Sequence, residues 1–387
     1  MTVTMRYPPI LLILSASVLG TPAPAQTLLY SVNLRTYGCP ITERKPFTWE
    51  SELLAGTRHV GLDEKGTTYV GCVLQGDAKL LKEGDANNIF RVLTIEPERG
   101  TVSRKLDFPT HSKERTGINI SANNSLLVIA NDKVQLVGED GSIKAGFGIP
   151  INEENETLDV DVSASEKTLL TLTFGASGNF SAYFFRAETL SPIVHCDIAG
   201  NRYRRDYPAT IADNVQMKEF QSTYIKGGSL PQDTLVIGAF CGQTKDLWAA
   251  DRGVEPFLLD DSTVLEMGKS KDDRFYTSAF DVRKINGETL CSEEFPRHFL
   301  AHGEVWAAAD GSRFATEVVQ LRGGHPSLDM GAKTVAAWIW IFETKTGKRV
   351  GSIPISTDGR LRYALSPKGD RVAILSPDGD SLEVWKL

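Results

Sequence analysis

From Arg362 to Leu387 the chain reads as three strands joined by two tight turns, and no other feature constrains the fold as strongly. Arg362–Leu365 and Arg371–Leu375 are apolar, and Ser366-Pro367-Lys368-Gly369-Asp370 between them is rich in residues that reverse a chain. A second turn, Ser376-Pro377-Asp378-Gly379, leads into Ser381–Leu387, where the chain stops. A sheet left one strand short exposes an edge that folded proteins pair or cover. Leu28-Leu29-Tyr30-Ser31-Val32-Asn33-Leu34 has the composition of the missing strand, and is expected to pair with Leu382–Trp385.

The same unit recurs along the chain: an apolar strand, a polar turn, a second strand, then a hairpin. The first turn of the unit is read at Asp63-Glu64-Lys65-Gly66, Ala122-Asn123-Asn124, Ala164-Ser165-Glu166-Lys167, Lys271-Asp272-Asp273, Ala309-Asp310-Gly311-Ser312 and Pro367-Lys368-Gly369-Asp370. A degenerate copy begins near Ile211-Ala212-Asp213-Asn214. The hairpin is clearest at Trp338–Phe342, which turns through Thr344–Lys348 into Val350–Ile353. No segment keeps a long period of 3.6, so helix should be minor. About seven units, at a spacing near that of propeller blades, predict an all-β chain. The expected architecture is a seven-bladed β-propeller of four-stranded antiparallel blades, closed by the N-terminal strand. Strands buried on both faces explain continuous apolar runs such as Trp338–Phe342. Trp338 and Trp340 are expected on opposite faces of their strand, packing between blades.

The Ala364-Leu365-Ser366-Pro367-x-Gly369 turn and the Thr346-Gly347-Lys348 hairpin resemble those of WD-repeat-like and YncE-like bacterial propellers. The likeness is a pattern over most of the chain and is convincing in residues only over the last two units. The resemblance implies the fold and little chemistry.

The N-terminus carries export features. Arg6 precedes the apolar stretch Ile10–Leu19, and Ala23-Pro24-Ala25 has the small-x-small form of a signal-peptidase site. Residues 1–25 are expected to be a signal peptide and 26–387 the propeller domain, giving a secreted or periplasmic protein. No later stretch approaches the roughly 18 apolar residues of a membrane span. A net charge of −7 opposes a general nucleic-acid binder, which needs a basic surface. Five cysteines, Cys39, Cys72, Cys196, Cys241 and Cys291, leave at least one thiol unpaired. Cys39–Cys72 is a disulfide candidate, and burial as small apolar residues is the favoured reading for most of the five.

Motifs that name a chemistry are incomplete. Gly379-Asp380-Ser381-Leu382 spells an esterase nucleophile block but lies in a strand turn. The Thr346-Gly347-Lys348 docking motif of quinoprotein propellers lacks its tryptophan, with Gly351 in that place. His298 and His302 are four apart but straddle a loop and a strand start. No cofactor and no catalytic residue are therefore expected. With the units aligned on their first turn, Arg115, His302 and Arg360 are equivalent, just before the innermost strand. His59 and Arg362 share the next equivalent slot but one. These five residues are the candidate ligand-binding set at a channel mouth. The expected function is a monomeric, exported binding scaffold for a protein, peptide or envelope component. The alternative is a propeller hydrolase or lactonase with its site at the channel mouth.

Overall fold

The structure is a computed structural model, and it describes residues 26–39, 59–75, 88–110, 116–130, 133–149, 156–174, 180–198, 211–214, 216–224, 231–239, 246–249, 255–268, 278–322, 333–356, 362–377 and 379–387. The expected signal peptide, residues 1–25, lies outside them.

After strand β1 (Thr27–Asn33) come seven sheets in chain order. Sheet 1 is β2 (Val60–Leu62), β3 (Thr68–Gln75), β4 (Asn88–Ile95) and β5 (Val102–Thr110). Sheet 2 is β6 (Gly117–Ile120), β7 (Leu126–Ala130), β8 (Lys133–Val137) and β9 (Ile143–Gly148). Sheet 3 is β10 (Glu156–Val162), β11 (Thr168–Phe174), β12 (Phe180–Arg186) and β13 (Pro192–Ile198). Sheet 4 holds β14 (Gln216–Tyr224), β15 (Pro231–Ala239) and β16 (Asp246–Ala249). Sheet 5 is β17 (Glu255–Leu258), β18 (Thr263–Gly268), β19 (Ala279–Lys284) and β20 (Thr289–Glu294). Sheet 6 is β21 (Phe299–Ala307), β22 (Arg313–Arg322), β23 (Lys333–Glu343) and β24 (Arg349–Ile355). Sheet 7 is β25 (Arg362–Leu365), β26 (Arg371–Leu375) and β27 (Ser381–Lys386), with β1 outside β27. All the pairings are antiparallel, and β1 meets β27 from Thr27 opposite Lys386 to Asn33 opposite Ser381.

The expectation of seven four-stranded blades is corrected: among the described residues six sheets have four strands, and sheet 4 has three. The segment that precedes its first turn, residues 199–210, lies outside the described residues. Ile211 makes only an isolated bridge. The turn that follows is nevertheless kept, since the Ala212 amide donates to the Gln216 carbonyl as Ser121 does to Ser125 and Ser366 to Arg371. Two boundaries also change. Leu34 leaves the strand and opens a 3-10 turn, Leu34–Tyr37, capped by the Asn33 side chain, which accepts from the Arg35 amide. The first turn of sheet 5 is Asp260-Asp261-Ser262, where the Ser262 amide donates to Asp260 Oδ1 at 2.7 Å, and not Lys271–Asp273, which lies outside the described residues.

The sheets pack in a closed series. Tyr69 and Phe90 of sheet 1 meet Ile118 and Ile120 of sheet 2. Leu127 and Ile129 meet Val160 and Leu169 of sheet 3. Ala212, in the turn before β14, packs with Leu258 and Val264 of sheet 5. Phe280 of sheet 5 lies among Phe314, Phe342 and Trp340 of sheet 6. Ile339 and Ala315 meet Tyr363 and Val372 of sheet 7. Tyr30, Leu382 and Ala373 of sheet 7 return to Val60 and Leu93 of sheet 1. Burial on both faces of each sheet is what the apolar strands encode. Trp338 and Trp340 share one face, with ring centroids 6.5 Å apart and both rings stacked on Phe299. The expectation of opposite faces fails because residues two apart in a strand point the same way.

The cysteines also depart from expectation. Cys39 and Cys72 form a disulfide, joining the segment after β1 to β3. Cys196 is disulfide-bonded as well, and Cys291 is a free thiol. Burial alone does not account for these residues: Cys39 is 1% exposed because it is cross-linked into the core between sheets 7 and 1.

Candidate functional site at the strand-start mouth

The first strands of the sheets converge: β2 touches both β6 and β25, and β21 touches β25. Each ends in its first turn, so all these turns gather at one end of the ring. There they are tied to each other. The Glu64 amide donates to Asn124 Oδ1 (3.1 Å), Ala122 to the Glu166 carbonyl (3.0 Å), Asn214 to Asp261 Oδ1 (3.2 Å) and Ala309 to the Pro367 carbonyl (2.8 Å). Between sheets 3 and 4, Asp213 accepts from Ser163, Ser165 and Thr168. Arg313 and Arg371, each opening a second strand, add bonds to the Gly369 and Pro97 carbonyls of the following sheets. Turn-end polar groups are thus spent on holding the ring.

The opposite mouth, where the first strands begin, is where the candidate set was expected. His59 directly precedes β2, and Arg362 opens β25 beside it. The two are close enough for the Arg362 charge to act on the imidazole. Arg362 is exposed and His59 half-buried. His59 Nδ1 lies 3.3 Å from the Gly71 carbonyl oxygen, which only accepts, so Nδ1 carries the proton. The ring meets Phe90 edge-on at 6.1 Å. Burial, followed by Arg362, lowers the His59 pKa to about 3. His59 is therefore a neutral group at this mouth, and the positive charge comes from arginine.

His302 is in β21 with its backbone opposite Glu317. Arg115 and Arg360 lie outside the described residues. Of the five candidates, His59 and Arg362 are thus the two that the structure brings together. Among the described residues no group of three or more His, Cys, Asp or Glu is placed to hold a metal ion, and no helix is long and apolar enough to cross a membrane.

A second constellation was not foreseen. Tyr37 and Gly38 of the segment after β1 face Arg91 of β4 and the start of β5. These segments lie far apart in sequence, and nothing in either signals the other.

The ring order of the sheets decides the fold. It is a β-propeller. The chain is similar in fold to a chain in the crystal structure of the mitotic checkpoint complex (11% identity, TM-score 0.52, covering 100% of this chain and 99% of that one). It is similar also to the Pan2 WD40 domain of Neurospora crassa (10%, 0.51, 95% and 96%). The β-propeller domain of the Trilobed protease from Pyrococcus furiosus, described as having an open velcro topology, matches at 11% and 0.52, over 86% and 93%. At such identities the likeness extends to the fold alone. No known family matches the sequence, and no curated protein does.

Proposed function

We propose that this propeller is an exported, non-catalytic scaffold of the YncE-like bacterial kind. It binds an acidic protein, peptide or envelope component at the mouth where the first strands begin. The observation that carries this reading is the contrast between the two mouths. At one the turns of neighbouring sheets are tied to each other by hydrogen bonds, and the other presents Arg362 beside His59. Arg115, His302 and Arg360 complete the proposed set by their equivalent positions in the repeat. A ring of cations focuses potential at one mouth and draws an anionic ligand even to a protein of net charge −7.

The chemistry of His59 favours binding over hydrolysis. A general base works best with a pKa near the working pH, and an imidazole held at about 3 is a weak base. The test is titration of the mature chain with a poly-glutamate peptide, in the wild type, Arg362→Ala and Arg115→Ala/Arg360→Ala. Saturable binding that both variants weaken supports the proposal. Equal affinity in all three, or turnover of ester or lactone substrates that His59→Gln abolishes, overturns it.

A further inference from the structure

Away from the mouth, an open cleft of about 490 Å³ lies on the outer part of sheet 1. Thr36 and Tyr37 of the 3-10 turn form one wall, and Arg91, Ser103, Arg104 and Lys105 of β4 and β5 form the other. We propose that this cleft binds a small organic or inorganic oxyanion, of the carboxylate or phosphate class.

Three observations support it. First, the lining holds Arg91 and Lys105 and no carboxylate, on a protein that is acidic overall; Arg104 also borders it but directs its guanidinium to the Gly138 carbonyl of sheet 2. Asp107 does sit next to it, but its charge is committed to Arg91, in a two-pronged pair with both contacts at 2.7 Å. Lys105 forms no ion pair among the described residues, though its charge acts on the neighbouring Asp107. Second, the site is shaped before any ligand arrives. Arg91 Nη1 donates to the Tyr37 carbonyl at 3.1 Å, which fixes the floor against the wall. Gly38, at φ 75°, lets the guanidinium approach, since a Cβ there would stand 2.6 Å from Arg91 Nη1. The next residue, Cys39, is anchored by its disulfide to Cys72, so the wall cannot swing away. Third, Tyr37 also lines the cleft, whereas the Thr36 and Ser103 hydroxyls already donate to the Asn33 and Thr94 carbonyls, and a volume of this size suits a small molecule.

Lysine on an edge strand also serves to discourage strand pairing. That role needs neither a braced arginine nor a disulfide-held wall, and it predicts no ligand.

The test is calorimetric titration of the full oxidised chain with citrate and with inorganic phosphate, at low ionic strength. At least one should bind the wild type at a single site. Citrate alone would identify a carboxylate site, and phosphate alone a phosphate site. Lys105→Ser, an exposed change, should weaken binding roughly tenfold, as expected for one charge-assisted contact, and Lys105→Glu should abolish it. Gly38→Ala should weaken it by displacing Arg91. Lys144→Ser, on β9, and Arg362→Ala, at the mouth, should leave it unchanged, which separates this cleft from the peptide-binding mouth. Failure of both anions to bind, or equal affinity in the wild type, Lys105→Ser and Lys105→Glu, overturns the proposal.

Discussion

Asp213 accepts a hydrogen bond from Ser163 Oγ at 2.8 Å, across the boundary between sheets 4 and 3. The same carboxylate accepts from Ser165 and Thr168, at 2.6 and 3.1 Å. These bonds tie the first turn of sheet 4 to the first turn and second strand of sheet 3. Asp213→Ala should cost about 1–3 kcal/mol, because it takes the acceptor from the buried hydroxyls of Ser163 and Thr168. Ser181→Ala removes a hydroxyl bonded to the exposed Asp197 in the same sheet and should cost much less. Denaturant unfolding of both variants measures the difference.

The Cys39–Cys72 disulfide spans 33 positions and pins the segment after β1 to sheet 1. Cys39→Ser/Cys72→Ser should lose about 2–4 kcal/mol relative to the oxidised wild type. In reducing buffer the two proteins should melt at nearly the same temperature, and thermal scans with and without reductant check this.

His59 makes stability depend on pH with a definite sign. Its folded pKa, about 3, is below the unfolded value near 6.5. Between those values the unfolded chain binds a proton that the folded chain does not. Its contribution is therefore complete above about pH 6.5 and is lost as pH falls toward 3. His59→Gln should lose less stability than the wild type between pH 7 and pH 4. Urea midpoints at both pH values test this, and equal losses would contradict it.

Phe280 is 1% exposed, and its ring meets Phe314 at 5.2 Å and Phe342 at 4.9 Å across the boundary of sheets 5 and 6. Phe280→Ala should cost about 3–5 kcal/mol by opening a cavity there. Phe280→Leu, which keeps most of the volume, should cost markedly less in equilibrium unfolding.

Much of the architecture was legible along the chain. Ser366-Pro367-Lys368-Gly369 forms the turn expected of it, with the Gly369 amide donating to the Ser366 carbonyl and Gly369 at φ 64°. Trp338–Phe342 is a buried strand as its composition requires. These features are local: turn chemistry and apolar runs act within a few residues. The first turn of sheet 5 was misplaced for the same reason. Lys271-Asp272-Asp273 is as turn-like in composition as Asp260-Asp261-Ser262, and only strand pairing distinguishes them.

The sequence by itself determined the kind of element, the repeat and the candidate cations, because each depends on residues close together in the chain. Tertiary structure alone decided that Asp213 ties sheet 4 to sheet 3. It also decided that His59 stands beside Arg362 as a neutral group, and that Tyr37 and Gly38 close over Arg91. Those outcomes depend on packing between sheets and on desolvation. Both bring together residues tens or hundreds of positions apart, at distances no local pattern encodes.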